Sequence, residues 1–259
     1  MDRNANTYSL QKVIKHYVGY STKLQKPEQT IYNILKPELN QMKMLDIGVG
    51  GGRTTHHFAS KVKEYIGIDF SEGMITACQN GFHQSIPLAK FEVCDVRNLS
   101  RFETHYFDFV LFSFNGLDNI THEERIASLK EIRRICKPKG FFCFSSHNLL
   151  CLPSFFKPRF RLHPIKFVKS LFNIKKLREQ NSHVINSLDT ADFVNVYDDV
   201  YDFGLNTYYV RPSYQVTQLN INGFNSVRLF SLESGEELKL PAQWNNATDS
   251  WIYYLCEKH

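Results

Sequence analysis

The chain has 259 residues with a net charge of +5, long enough for one large α/β domain with a buried core or for two small domains. No apolar run approaches the ~20 residues of a membrane-spanning helix, and the opening MDRNANTYSLQKVIKHY offers no apolar stretch for a secretion signal. Six scattered cysteines form no C-x-x-C pair, so reduced thiols and a cytoplasmic location are expected, and radical chemistry on an iron–sulfur cluster is not.

The charge is local. Residues 157–178 carry eight Lys or Arg and no acid, leaving the rest of the chain at −3. A basic protein surface for nucleic acid is therefore not implied. The 21 Phe and 13 Tyr are many; they suggest an aromatic-lined cavity, with aromatic packing of the core as the more ordinary reading.

In chain order, residues 8–40 read as helical, with Ile31, Ile34 and Leu35 at helical spacing and Pro27 in a first turn. MKMLDIG (42–48) predicts a strand, Arg53–Lys61 a helix, Tyr65–Phe70 a strand, Glu72–Asn80 a helix, and Phe91–Cys94 and Phe107–Phe114 two further strands. A helix over His122–Cys136 stops at Lys137-Pro138-Lys139-Gly140, and Phe141–Ser146 is a fifth strand. Continuous apolar strands alternating with helices predict a parallel, doubly wound sheet. Residues 148–198 read as irregular; strands return at Thr207–Val210, Ser226–Leu232 and Trp251–Cys256, with a helix near Pro212–Asn222.

The chemistry concentrates in Asp46-Ile47-Gly48-Val49-Gly50-Gly51-Gly52-Arg53, where the first strand turns into a helix. Glycines there let a ligand approach the backbone, next to the free N–H groups of a helix start. A dinucleotide fingerprint would place glycine at Arg53 and fails. An acid before the loop instead suits a cationic ligand, such as the ammonium and sulfonium of S-adenosyl-L-methionine, and would repel a pyrophosphate. Asp69 ends the second strand, where a carboxylate accepts from ribose hydroxyls. Asp95 ends the third, where it can accept from an adenine amino group while Val96 packs on the ring.

LDIGVGGGRTT, YIGIDFSEGM and CDVRNL resemble the first three motifs of the class I (Rossmann-type) S-adenosylmethionine-dependent methyltransferases, small-molecule type. FDFVLFSFNGLDNI and EIRRICKPKGFFCFSSHN resemble the segments around the fourth and fifth strands. The resemblance implies a mostly parallel seven-stranded sheet, order 3-2-1-4-5-7-6 with strand 7 antiparallel. It also implies one domain, residues 1–259: a helical cap (1–40), a cofactor-binding core (42–148), a lid-like insertion after strand 5 (149–199) and C-terminal strands completing the sheet (200–259). Asp46, Gly48, Val49, Gly50, Gly52, Asp69, Phe70, Met74, Asp95, Val96, Ser113, Phe114 and Asn115 are the expected cofactor contacts.

The expected activity is in-line methyl transfer to oxygen or nitrogen of a small-molecule or peptide-like acceptor, which the basic segment suggests is acidic. His147 is the candidate base and Asp118 its companion at the ends of strands 5 and 4, with Tyr17, Tyr20, Tyr208 and Tyr209 as candidate acceptor walls. An RNA or protein methyltransferase is the runner-up. Base-amino methylation is disfavoured because Ser113-Phe114-Asn115-Gly116 lacks the Pro-Pro-aromatic run. A non-catalytic cofactor-binding scaffold is the alternative of another class. No metal-ligand spacing is present. For the basic segment the readings, in order, are a lid over the acceptor, a nucleic-acid strip and a helix lying on a membrane surface.

Overall fold

The central apolar runs pair because they are buried on both faces. In the computed structural model, which describes residue 4 and residues 10–19, 21–158, 164–198 and 205–259, with only the backbone of 164–167 and 169, five parallel strands form the centre. They are β1 (Lys43–Ile47), β2 (Glu64–Asp69), β3 (Lys90–Val93), β4 (Phe107–Phe112) and β5 (Cys136–Asn148), in the order 3-2-1-4-5. Strands β1, β2, β4 and β5 are the runs buried on both faces, while β3 lies at the edge with Val93 exposed.

Alternate residues serve opposite faces. Leu45, Ile47, Val110 and Phe112 pack with Leu129 and Ile132 of α5 (His122–Ile135); Met44, Phe109 and Leu111 pack with Ile31 and Leu35 of α2 (Lys26–Leu35). Helix α1 (Gln11–Val18) precedes α2, and α3 (Thr55–Phe58) and α4 (Glu72–Phe82) follow β1 and β2. Helix α5 starts in a capping box between Thr121 and Glu124.

The expected helix 53–61 shrinks to the single turn of α3, because the backbone before it stays in the glycine turn as far as Gly52, at φ +83°. Strand β5 begins earlier than expected. Cys136 already pairs with Phe107, and the Lys-Pro-Lys-Gly turn is absorbed as a register shift with Lys139 at φ +63°.

Strand β8 (Phe224–Ser231) and β10 (Trp251–Lys258) take the sixth and seventh places, β10 lying antiparallel between β5 and β8. The fold class is the expected one, while strand count and order differ slightly from the expectation: β9 (Glu237–Leu238) extends the path beyond β8, and β6 (Phe193–Tyr197) and β7 (Asn206–Val210) lie off it. Helix α8 (Pro212–Ile221) leads into β8; the two-residue β9 (Glu237–Leu238) and α9 (Pro241–Asn245) lie before β10.

The insertion is more ordered than its sequence suggests. A 3-10 helix (Leu149–Phe156) is followed by α6 (Pro164–Gln180), α7 (Ser182–Ile185) and β6 (Phe193–Tyr197). Strand β6 pairs antiparallel with β7 (Asn206–Val210), which runs parallel to the end of β5 through His147↔Tyr209 and Asn148↔Val210. The strand at 207–210 thus belongs with the insertion's ribbon, and among the described residues the sheet has ten strands rather than seven. Leu149, Leu152, Leu177, Val194 and Val196 give this ribbon and its helices their own small core beside the C-terminal edge of β5. Only alternate residues of β6 are buried, so no apolar run announces it.

Candidate functional site

A cleft opens at the C-terminal edge of β1–β4, where a doubly wound sheet places its ligands. Its floor is the turn after β1. Gly48 and Gly50 adopt φ +64° and +55°, and a Cβ on Gly48 would lie 2.9 Å from the Phe112 ring. Gly50 N–H donates to Asp69 Oδ2 at 3.0 Å, and Ser71 N–H to Asp69 Oδ1 at 2.9 Å. Burial pushes the Asp69 carboxyl up to about 6 against those two bonds. Each of its oxygens keeps a lone pair for a further donor.

Asp46, only 1% exposed, accepts hydroxyl bonds from Thr54 (2.5 Å) and Tyr65 (2.7 Å), both on Oδ2. Burial raises it also to about 6. Asp95 differs. Arg97 clasps both its oxygens at 2.6–3.0 Å and also reaches Glu124 at 2.7 Å. Burial raises the Asp95 carboxyl, but the Arg97 bonds and charge outweigh this and hold it low.

Of the expected cofactor contacts, Asp46, Gly48, Val49, Gly50, Asp69, Phe70, Met74, Asp95, Val96, Ser113 and Phe114 line this cleft. Gly52 and Asn115 do not: a Cβ on Gly52 would fall 2.3 Å from the Phe82 ring, so that glycine serves packing. Tyr17 lines the cleft from α1, whose C-terminus crosses the glycine turn so closely that a Cβ on Gly51 would meet Tyr17 O at 2.6 Å. Tyr20 lies outside the described residues. Tyr208 and Tyr209 are corrections. Tyr208 is fully buried against Arg125, 4.6 Å from its ring, and Tyr209 is 2% exposed and packs on His147; neither lines the cleft.

His147 and Asp118 meet beside the cleft, not in its lining. Asp118 Oδ2 accepts from His147 Nδ1 (2.8 Å) and N–H (2.7 Å), while Oδ1 accepts from Arg125 (2.6 Å) and Ser146 (2.7 Å). Asp118 and Arg125 are fully buried. Phe114 and Asn115 are both left-handed (φ +59° and +60°), a costly backbone that turns Phe114 into the cleft. This turn is held by the Asn115 N–H bond to Ser145 Oγ at 2.8 Å. Asn115 Nδ2 donates to His147 Nε2 at 3.3 Å; its buried Oδ1 has no hydrogen-bond partner.

Sequence reasoning missed the group that locks the cap to the core. Glu28 of α2 takes both Arg53 guanidinium nitrogens, at 2.5 and 2.6 Å, and accepts from Ser113 Oγ and from Tyr253 OH at 3.0 Å. Arg53 also lies over the Phe114 ring, 5.1 Å from its centroid. The only hint was the arginine standing where a dinucleotide loop needs glycine. Among the described residues, no group of three or more His, Cys, Asp or Glu is arranged to hold a metal, and no helix is long and apolar enough to cross a membrane.

A cleft with two buried carboxyls raised to about 6, a bare glycine backbone and an apolar wall of Val96, Met74 and Phe112 fits a ligand that joins a cationic centre to hydroxyl donors and a flat ring. S-adenosylmethionine is such a ligand. Residues 44–140 match the family described as "Methyltransferase domain". The demethylmenaquinone methyltransferase of Corynebacterium urealyticum is 32% identical over 114 residues, 44% of this chain and 45% of that protein. The chain spans about half the length of the curated relatives it matches. Among solved structures, the fold is similar to the Burkholderia thailandensis 1,6-didemethyltoxoflavin-N1-methyltransferase, solved with S-adenosylhomocysteine bound (TM-score 0.60, 14% identity, 99% of this chain and 86% of that one). It is also similar to an S-adenosylmethionine-dependent methyltransferase from Clostridium acetobutylicum (TM-score 0.60, 16% identity, 98% and 97%).

Proposed function

We propose that this chain, whose motifs, matched region and fold are those of a class I methyltransferase, transfers the methyl group of S-adenosylmethionine to an oxygen or nitrogen of a neutral, largely apolar small molecule. The observation that carries the reading is the pairing of Asp46 and Asp69 across one glycine turn. Both carboxyls open on a single cleft, and both are raised to about 6 by burial, so a bound cation or hydroxyl donor would relieve them.

In this reading Asp46 attracts the cationic end of the donor, Asp69 accepts from its ribose, and Val96 and Met74 sandwich its ring. Asp95, already held by Arg97, adds one acceptor at the ring's edge. The sulfonium is itself reactive, so the protein mainly positions donor and acceptor and keeps water out. Such positioning is worth about 7–11 kcal/mol of a bimolecular barrier.

The lining supports a neutral acceptor. Arg53 is bound to Glu28 and Arg97 to Asp95 and Glu124, so the cleft's arginines already face carboxylates. The basic segment that suggested an acidic acceptor is centred on α6, whose described side chains do not line the cleft.

His147 is the proposed base. With Nδ1–H on Asp118, its Nε2 is an acceptor. The Nε2 lone pair is taken by Asn115 Nδ2, so the amide must swing away before Nε2 takes a proton, after which its partnerless Oδ1 could turn to accept from Nε2–H. Asp118 acts through His147 as a positioning residue.

Two measurements test the reading. Calorimetry and thermal melting with S-adenosylhomocysteine should show binding and stabilisation, since a ligand that binds only the native state raises apparent stability. No stabilisation at saturating ligand would favour a scaffold instead. Incubation with isotopically labelled donor and a metabolite extract should then place label on a neutral small molecule; label on RNA or protein would replace the acceptor assigned here.

A further inference from the structure

Arg125 of α5 is fully buried, the largest side chain so placed among the described residues. Each of its N–H groups finds an acceptor. Nη1 donates to Leu117 O at 3.0 Å and to Asp118 Oδ1 at 2.6 Å. Nη2 donates to Gln215 Oε1 at 2.6 Å and to Ser146 Oγ at 3.1 Å, and Nε to Gln218 Oε1 at 3.3 Å. The guanidinium also lies over the Tyr208 ring, 4.6 Å from its centroid. The 3-10 turn Gly116–Asn119, β5, β7 and α8 thus converge on one cation.

A buried ion pair is weak support for a fold, because an apolar pair of similar volume often serves as well. The use of this one is read from Asp118. Its Oδ1 is filled by Arg125 and by Ser146 Oγ at 2.7 Å, so Oδ2 is left for His147, accepting from the backbone N–H at 2.7 Å and from Nδ1 at 2.8 Å. A buried carboxyl without a cation favours its protonated form, and a protonated carboxyl donates. It would then donate to Nδ1 and leave the ring's own proton on Nε2, the atom that has to receive one. We propose that Arg125 is a positioning residue for methyl transfer: through Asp118 it keeps the His147 proton on Nδ1 and the lone pair on Nε2. Arg125 does not line the cleft and acts only through the carboxylate. The inference rests on the reading of His147 as the base.

The test reads, by nitrogen NMR of the whole chain labelled at histidine, which ring nitrogen of His147 carries the proton. It is run in mildly alkaline buffer, where imidazole is ordinarily neutral, and His147→Gln assigns the signals. The native chain should carry the proton on Nδ1. Arg125→Met, neutral and unbranched, should move most of the population to the Nε2–H form. Arg125→Lys loses the same hydrogen-bonded fork but keeps a positive charge beside Oδ1, and should retain the native form. Where the methionine variant does not fold, Arg125→Gln makes the same comparison. Methyl transfer at saturating donor and acceptor should fall by about 10²-fold or more in the neutral variant and recover in Arg125→Lys, with S-adenosylhomocysteine affinity unchanged. The proposal is overturned if the native ring carries its proton on Nε2, or if the neutral variants keep the Nδ1–H form or turn over as fast as the native chain. It is equally overturned if Arg125→Lys shifts the proton as fully as they do, since packing rather than charge would then be the cause. The ring measurement uses neither donor nor acceptor, so its failure leaves the methyl-transfer reading standing; failure of that reading would show as absent S-adenosylhomocysteine binding with the ring unchanged.

Discussion

Glu28 grips Arg53 with both carboxylate oxygens, 25 residues apart in sequence, and by doing so fastens the N-terminal cap to the turn that forms the cleft floor. Glu28 is buried and the Arg53 side chain is only 12% exposed, with the Ser113 and Tyr253 hydroxyls also donating to the carboxylate.

Glu28→Gln should therefore destabilise the fold by about 3–5 kcal/mol, the cost of leaving a buried guanidinium uncompensated. Burial raises the Glu28 carboxyl, but Arg53's hydrogen bonds and charge prevail and its net value lies below the ordinary 4.5. Its contribution is thus complete above about 4.5 and is lost as pH falls through the lower folded value. Urea unfolding of both proteins at neutral and acidic pH measures this; a stability gap that does not narrow in acid would contradict it.

Asp46 and Asp69 carry the opposite sign. Each is raised from 3.8 to about 6, so in the ligand-free protein their ionisation costs stability above about 6 and the cost is relieved as pH falls toward 4. Donor binding needs them ionised. Affinity for S-adenosylmethionine should drop about tenfold per pH unit below about 6 for each group involved, as calorimetry between about pH 8 and about pH 5 would read.

Asp46→Asn separates binding from folding. The amide oxygen can keep the bonds from Thr54 and Tyr65, while burial no longer opposes a charge. The variant should melt no lower than the native chain, with a gain of at most about 3 kcal/mol, yet bind the donor far more weakly. Unchanged affinity would remove Asp46 from the site.

Gly51→Ala probes the cap. Its Cβ would fall 2.6 Å from Tyr17 O, so α1 must shift off the glycine turn. Donor affinity should fall while the strands of the core stay protected from hydrogen exchange. Loss of protection in β1 and β4 would instead mean that the cap supports the sheet itself.

His147 and Asp118 should respond differently. Asp118→Asn strips a fully buried Arg125 of its countercharge and should cost about 3–5 kcal/mol. His147→Ala should cost only about 1 kcal/mol but slow methyl transfer by about 10²–10⁴-fold if the imidazole is the base. Unaltered turnover at saturating donor and acceptor would end that assignment.

The strands were legible because residues such as Leu45, Val110 and Phe142 lie in apolar runs, and a strand buried on both faces has no other sequence pattern. The glycine turn was legible for a related reason: a short turn between strand and helix writes its backbone needs into adjacent residues. Asp46 and Asp69 followed from that turn, since each stands at a strand end beside it. Strand β6 was not legible, because a ribbon buried on one side breaks its apolar pattern with residues such as Asn195.

Local sequence, then, determined the central strands and the carboxylates at their ends, because those features depend on neighbours a few residues apart. Tertiary structure alone decided that Tyr208 and Tyr209 leave the cleft, that Asp118 belongs to Arg125 as much as to His147, and that Glu28 closes on Arg53. Each of those outcomes is a contact between distant segments, settled by which polar groups had to be satisfied once the core had closed around them.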